Sequence, residues 1–330
     1  MTPENGLPYI SVVMPMYNQE NHIRHSLESI LNQDYPADNY EIIIIDNSSE
    51  DKSAEIVMEI QNNNKNIKYF NQSERSITKA INSGIKNSKG EILVRLDAHT
   101  EAPRNYISKI ADTLINNKAE LVSGIIVPIG TNYWSKTIGL CLSSSFGIGD
   151  SRLYHYDEPV YTKRGYLGAY RKDYIVKLGY YDELLFSADD YDVFYRVKKA
   201  GGRILVLPEL GVKYYCRESL KKVFGQYFKY GWTKVVVFKK YGKLLSARAI
   251  VPGLFLVTLI VFLSVSIFIK ESGYIFLLLV GIYLITNLIF SATLSFRKGF
   301  KFLFSAPVVF ITLHTSHALG FCYGLLFKKY

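Results

Sequence analysis

The sequence predicts an α/β fold with a mostly parallel sheet, followed by hydrophobic C-terminal helices. Three observations carry this. Short β-rich runs alternate with segments of helical spacing over the first two thirds of the chain. One of those runs, EIIII at 41–45, is apolar enough to be buried on both faces, as a parallel strand is. Charge then vanishes from three long stretches near the end, 249–269, 272–296 and 302–327.

The elements follow in order. Tyr9 to Met14 is a β-rich run ending at Pro15, after which Ile23, Leu27, Ile30 and Leu31 keep helical spacing. The tetra-isoleucine strand ends at Asp46, and Ser48, Ser49, Glu50 and Asp51 read as the start of the next helix. Ile67 to Phe70 is a strand, Ile77 to Ile85 a helix, Glu91 to Leu96 a strand running into Asp97, Tyr106 to Ile115 a helix, and Leu121 to Val127 a strand. In open α/β sheets ligands sit beyond the carboxyl ends of the strands. Tyr17, Asn18, Asp46, Asp97 and His99 occupy such positions.

Composition excludes several classes. The formal net charge is +10, yet the chain has no zinc-finger spacing, RNP-like motif or basic arm, so nucleic acid is not an expected partner. The lysines crowd instead into Lys221 to Lys243, interleaved with Phe224, Tyr227, Phe228, Tyr230 and Trp232, a pattern suited to an anionic membrane surface or to phosphate-bearing substrates. Cys141, Cys216 and Cys322 form no C-x-x-C pair and read as reduced thiols. Neither G-x-G-x-x-G nor G-x-x-x-x-G-K-[ST] occurs, and Gly147 to Gly149 follows no clear strand. S-x-x-K at Ser76 to Lys79 has no partner motif and reads as chance.

The three charge-free stretches exceed the roughly 18 apolar residues that mark a membrane span. Helices are expected at about 249–269, 273–296 and 302–327, the third being open to a re-entrant course because it carries Pro307, His314 and His317. The N-terminus shows no signal peptide. Lys239, Lys240, Lys243 and Arg248 precede the first stretch, and Arg297, Lys298 and Lys301 follow the second. Positive-inside counting thus keeps the preceding domain cytoplasmic, whereas a third crossing would put Lys328 and Lys329 outside. The expected organisation is a catalytic domain at 1–243 and a multi-pass membrane domain at 244–330, in the cell inner membrane.

The order P-x-Y-N-x-E (Pro15 to Glu20), EIIIIDNSSEDKS, N-x-G-I (Asn82 to Ile85), KGEILVRLDAH and ADDYDVFYRVKKAG resembles the inverting family 2 glycosyltransferases of the GT-A fold. Each motif is short, but the five stand in order over about residues 9 to 243. "DAH" in place of D-x-D, RESLKKVFGQYFKYG and LHTSHALGFCYGLLF look most like the succinoglycan-biosynthesis type. The resemblance implies an enzyme that takes a sugar from a nucleotide diphosphate, by its commonest donor UDP-glucose, and adds it to a lipid-linked or glycan acceptor.

The resemblance also implies roles. Pro15 and Tyr17 match the nucleobase turn, shaped by Asn18 and Glu20. Asp46 accepts from base or ribose, and Arg75 meets the diphosphate. Asp97 would hold Mg²⁺ or Mn²⁺, which neutralises charge on the leaving group. His99 stands where a second acid is usual, and both would point to one side of an extended backbone; imidazole suits Mn²⁺ better than Mg²⁺. Inversion needs a base for the acceptor hydroxyl. In the family's E-D-x-E/D-x-x-x-R pattern, counting back from Arg196 lands on Asp190, so the resemblance implies Asp190 as that base, with Asp189 in place of Glu and Asp192 in support. Packing these acids together raises at least one pKa. Gly168 to Arg171 matches the acceptor-side loop. Gln226, Lys229 and Tyr230 fill the places of Q-x-x-R-W in processive relatives; Lys for Arg and Tyr for Trp favour single-sugar addition. The alternatives are a processive synthase and a non-catalytic sugar-nucleotide-binding scaffold.

Overall fold

A computed structural model describes residues 6–148, 151–187, 189–242 and 250–327. By packing, these residues form two compact units, 1–127 with 152–215 and 128–151 with 216–330. The packing division on the C-terminal side of the first unit thus falls at Tyr215, ahead of the change in composition near 243.

The first unit is built on the expected α/β pattern. Strands β1 (Ile10–Met16), β2 (Tyr40–Asp46), β3 (Ile67–Asn71) and β4 (Ile92–Arg95) pair in parallel, in the order β3-β2-β1-β4. Helices α1 (Ile23–Leu31), α2 (Ser53–Gln61) and α3 (Ile77–Asn87) connect them. The four isoleucines of β2 are buried alternately on its two faces: Ile42 and Ile44 join one hydrophobic cluster, Ile43 and Ile45 another. That is the physical reason the run lacks a polar face.

Beyond β4 the pairing turns antiparallel. β5 is Thr100–Glu101, α4 Tyr106–Ile115, β6 Leu121–Ile129, β7 Val160–Thr162, β8 Gly168–Arg171 and β9 Ile204–Tyr215, with α7 (Lys172–Lys177) and α8 (Asp189–Lys199) between β8 and β9. β8 pairs antiparallel with both β4 and β6, and β9 with β5 and β7. In the β4–β8 ladder Arg95 is the partner of Gly168. Two local expectations are corrected. The helix start read at Ser48 to Asp51 is loop, with Ser48 at φ 57°, and α2 begins at Ser53. The S-x-x-K pattern has a structural cause, since Ser76 caps α3 by accepting from the Lys79 backbone N–H.

The second unit is helical: α5 (Tyr133–Leu142), α6 (Ser145–Ile148), α9 (Leu220–Tyr241), α10 (Val251–Val265), α11 (Lys270–Lys298) and α12 (Ser305–Phe327). α11 and α12 are long and apolar enough to cross a membrane. The stretch expected as a first span forms the 15-residue α10, only about 22 Å of helix at 1.5 Å per residue, against a hydrocarbon core of roughly 30 Å. The third stretch, expected to be the doubtful one, meets the length criterion. Lys243, Arg248, Lys328, Lys329 and Gly149 lie outside the described residues.

α9 and α12 meet backbone to backbone. A Cβ on Gly231 would fall 2.1 Å from the His317 carbonyl oxygen, and one on Gly320 would fall 1.9 Å from that of Phe228. Both positions exclude any side chain, as in helix pairs packed through small residues. Lys239 Nζ donates at 2.8 Å to the Gly324 carbonyl in the last turn of α12, where a cation also opposes the helix dipole.

Candidate active site

The loops after β1 and β2 are joined by side-chain to backbone hydrogen bonds. Asn18, held at φ 49°, accepts from Glu50 N–H at 2.8 Å through Oδ1, while its own N–H donates to Ser49 Oγ. Glu20 N–H donates to Asp51 Oδ2, and Glu20 Oε2 accepts from Lys52 N–H, both at 3.1 Å. Asn18 and Glu20 therefore shape the turn that carries Tyr17. The Arg75 guanidinium lies 4.8 Å over the Tyr17 ring and pairs with Glu50, so Tyr17 and Arg75, far apart in sequence, come together. Pro15 lies in β1 opposite Ile45, and its neighbour Met16 opposite Asp46. Both oxygens of buried Asp46 are engaged: Oδ1 accepts from Ser49 N–H and hydroxyl, and Oδ2 from Tyr69 OH at 2.7 Å.

The second constellation gathers where β4 ends. Arg95 is 3% exposed in the side chain. Its Nε and a terminal nitrogen both reach Asp97 Oδ1 at 3.3 Å, and its other terminal nitrogen donates to Asp189 and to Asp190. Those two acids open α8 (Asp189–Lys199). The Tyr181 ring lies 5.6 Å from the guanidinium carbon. Burial alone would lower the Arg95 pKa, but Asp189, Asp190 and Asp97 more than reverse this, so the side chain stays charged. Burial pushes the Asp190 carboxyl up to about 7; Arg95 opposes this, Asp189 and Asp97 add to it, and a hydrogen bond from Leu167 N–H again opposes it. Leu167 itself has φ 55°, so the chain entering Gly168 is bent to present that N–H.

Sequence reasoning missed Arg95, although a signal was present: ILVRL sets one charge in a buried strand, two residues before Asp97. It also missed Tyr69, Ser49 and Glu50. Asp192 is buried and bonded to Arg196 Nε at 2.7 Å, one turn along α8, and so is used within the helix. The extended geometry expected from Asp97 to His99 is not found. Thr100 N–H and its hydroxyl both donate to the Asp97 carbonyl, which turns the chain, and the His99 ring meets Tyr214 edge-on at 5.2 Å. Gln226, Lys229 and Tyr230 lie on α9 in the second unit, where Gln226 Nε2 donates to Tyr230 OH at 3.0 Å.

A divalent cation would find few protein ligands here. No cluster of three or more His, Cys, Asp or Glu side chains suited to a metal occurs among the described residues. Asp97 is partly exposed and could give a cation one carboxylate, with the remaining ligands from diphosphate oxygens and water, as for Mg²⁺ in nucleotide sites. His99 is also partly exposed, but the turn after Asp97 removes the shared direction that an extended backbone would have given the pair.

The sequence model of the glycosyl transferase family 2 matches residues 11–179, the stretch that holds the loops after β1 and β2, Arg95 and Asp97. The chain belongs to this family. The transferase is 29% identical over 331 residues to a Methanococcus voltae protein, covering 96% of this chain and 97% of the relative; that protein is named dolichyl N-acetyl-alpha-D-glucosaminyl phosphate 3-beta-D-2,3-diacetamido-2,3-dideoxy-beta-D-glucuronosyltransferase. It is 25% identical to the succinoglycan biosynthesis protein ExoA of Rhizobium meliloti, covering 73% of each chain. Among solved structures, a Pyrobaculum calidifontis mannosyltransferase in complex with GDP-mannose and Mn²⁺ superposes with a TM-score of 0.59 at 18% identity, covering 98% of this transferase and 88% of that chain. GalNAc-T7 with UDP, GalNAc and Mn²⁺ gives 0.53 at 20% identity, over 65% and 44%. These two likenesses show the GT-A fold. The transferase is thus an enzyme of glycan or polysaccharide synthesis that uses a nucleotide sugar, with two candidate membrane helices near its C-terminus.

Proposed function

We propose that the chain is an inverting, metal-dependent transferase that moves one sugar from a nucleoside diphosphate, UDP in the first instance, to a lipid-linked acceptor at the cytoplasmic face of the membrane. The observation that carries this reading is Asp190: a carboxyl at the head of α8, beside the end of β4, with its pKa raised into the neutral range where a general base works best. In the step, the acceptor oxygen bonds to the anomeric carbon, the bond from that carbon to the diphosphate oxygen breaks, and the acceptor proton passes to Asp190. Asp97 and His99 would hold the cation, which would supply positive charge to the leaving diphosphate. Tyr17 stacks on the base, Arg75 turns from Glu50 towards the diphosphate, and Pro15, Asn18 and Glu20 hold the loop in shape. Asp46 reaches the base or ribose by exchanging the Tyr69 hydrogen bond. Gly168 is assigned to the acceptor side, and Gln226, Lys229 and Tyr230 are assigned an acceptor role by their match to the family's Q-x-x-R-W places.

The lipid-linked acceptor draws support from the named activity of the Methanococcus relative on a dolichyl phosphate sugar. The membrane face draws support from the apolar helices and from Arg297, Lys298 and Lys301 at the end of α11. The catalytic domain is taken as 1–243 and the membrane domain as 244–330. To test the reading, membranes bearing the protein are given a panel of nucleotide sugars and polyprenyl-diphosphate sugars, and released nucleotide and product anomer are followed. One donor should react, with inversion, and chelation should stop the reaction. A retained anomer, or full turnover in excess chelator, overturns the proposal.

A further inference from the structure

Arg95 is the only cation paired with Asp97, Asp189 and Asp190 among the described residues, and it sits in a buried strand where a charge is costly unless paired. One guanidinium against three carboxylates leaves the group with an excess of negative charge. Its bonds are unequal. Asp97 is held only at 3.3 Å, twice through the same oxygen, whereas Asp189 and Asp190 are held more tightly and by one shared nitrogen. The Asp97 contact is the one that yields most easily to a competing cation.

We propose that Arg95 is a positioning residue that couples the donor side of the site to the base. When a divalent cation and nucleoside diphosphate take up Asp97, Arg95 is released from it and given wholly to the Asp189–Asp190 pair. The proposal rests on the roles given above to Asp97 and Asp190. The charge argument sets its direction: a cation at Asp97 repels the guanidinium and cancels the negative excess. The groups facing Asp190 are Arg95 at the end of β4 and Asp97 two residues beyond it, Asp189 from its own helix, the Leu167 N–H, and the phenols of Tyr170 and Tyr181. Of the charged ones, Arg95 alone favours the carboxylate. Arg95 therefore keeps the base in its proton-accepting form as the donor arrives, and holds it in one orientation.

The competing explanation is that Arg95 merely straps β4 to α8. A binding cycle on the full chain in detergent separates the two. The probe is Mn²⁺ with UDP, or with GDP if the donor panel selects a guanosine sugar, titrated into the parent, Arg95→Lys, Asp190→Asn and the double variant. Lysine keeps the charge but not the fork. With Asp190 neutralised, Arg95 holds Asp97 more firmly. Asp190→Asn should therefore weaken Mn²⁺–nucleotide binding about five- to tenfold in the parent, and less than twofold in the Arg95→Lys background, where a single ammonium replaces the fork. Arg95→Lys should also lower kcat about 100-fold with donor KM within threefold, and move the acid limb of the kcat profile upward by about one pH unit. Equal Asp190→Asn effects in both backgrounds would overturn the coupling, as would an Arg95→Lys protein that melts lower but keeps kcat and pH profile. Should Arg95→Lys fail to fold, Asp189→Asn reads the same route with Arg95 in place, and unchanged Mn²⁺–nucleotide binding there counts against the proposal. Full turnover by Asp190→Asn would instead sink the base assignment, which the binding cycle, needing no turnover, reports separately.

Discussion

The end of β4 and the contact between α9 and α12 solve opposite packing problems. At the first, four charged side chains are brought together and one of them, Arg95, is bonded to the other three. At the second, two helices approach so closely that Gly231 and Gly320 leave no room for a methyl group. The charged cluster is tuned by electrostatics, so it answers to pH and to bound cations. The glycine contact is set by volume, and should answer to neither. Function needs the first kind of arrangement, because a base must change its protonation state during the reaction.

Substitutions that separate the two kinds can be ranked. Asp190→Asn has the largest expected effect, a fall in kcat of about 10³-fold or more, with donor KM changed far less; near-native turnover would leave Asp189 as the base. The same variant should be more heat-stable than the parent at pH 8. Folding raises the Asp190 pKa from its ordinary 3.8 to about 7, so the folded form binds the extra proton in that window. Stability is therefore full below pH 4 and is lost as the pH climbs to about 7, a loss that Asn escapes. Thermal melts across pH 4 to 8 in detergent should show the gap widening with pH, and a constant gap would contradict the assigned environment.

Next in size comes Gly320→Val, which drives a side chain into the Phe228 carbonyl and should cost about 3 kcal/mol or more, equally at pH 5 and pH 8. A strong pH dependence of that cost would break the contrast between the two regions. Ending the chain at Gly242 uncovers the face of α9 that α12 covers, and such a chain should aggregate, as judged by gel filtration. A smaller effect is expected for the pH profile of the parent, where kcat should fall about tenfold per unit below pH 7 as Asp190 takes up its proton. Lys239→Met removes only a helix-end cation and should cost about 0.5–1 kcal/mol in a melt, less in high salt.

Much of this was legible beforehand. Strand and helix types were readable because burial on one or both faces imposes a local period, as the isoleucines of β2 show. Asp97 and Asp190 were readable as candidates because each lies close to an element's end, Asp97 two residues past β4 and Asp190 second in α8. The start of α2 was misread because Asp46 caps the Ser49 N–H and so continues the loop, using the same residue types that open helices. The length of α10 was overestimated because hydropathy counts residues, whereas the helix spans only Val251–Val265.

The sequence by itself determined the order and kind of the elements, the apolar stretches near the end and the acidic residues at the strand and helix ends, since each of these is a pattern within a few neighbouring residues. The tertiary structure alone decided that Arg95 joins Asp189 and Asp190, 94 and 95 positions away, that Asp46 is saturated by Ser49 and Tyr69, and that the lysine-rich α9 packs on α12. Contacts at that separation leave no local period, and a pKa follows from which charges are buried together, a quantity that exists only once the chain has folded.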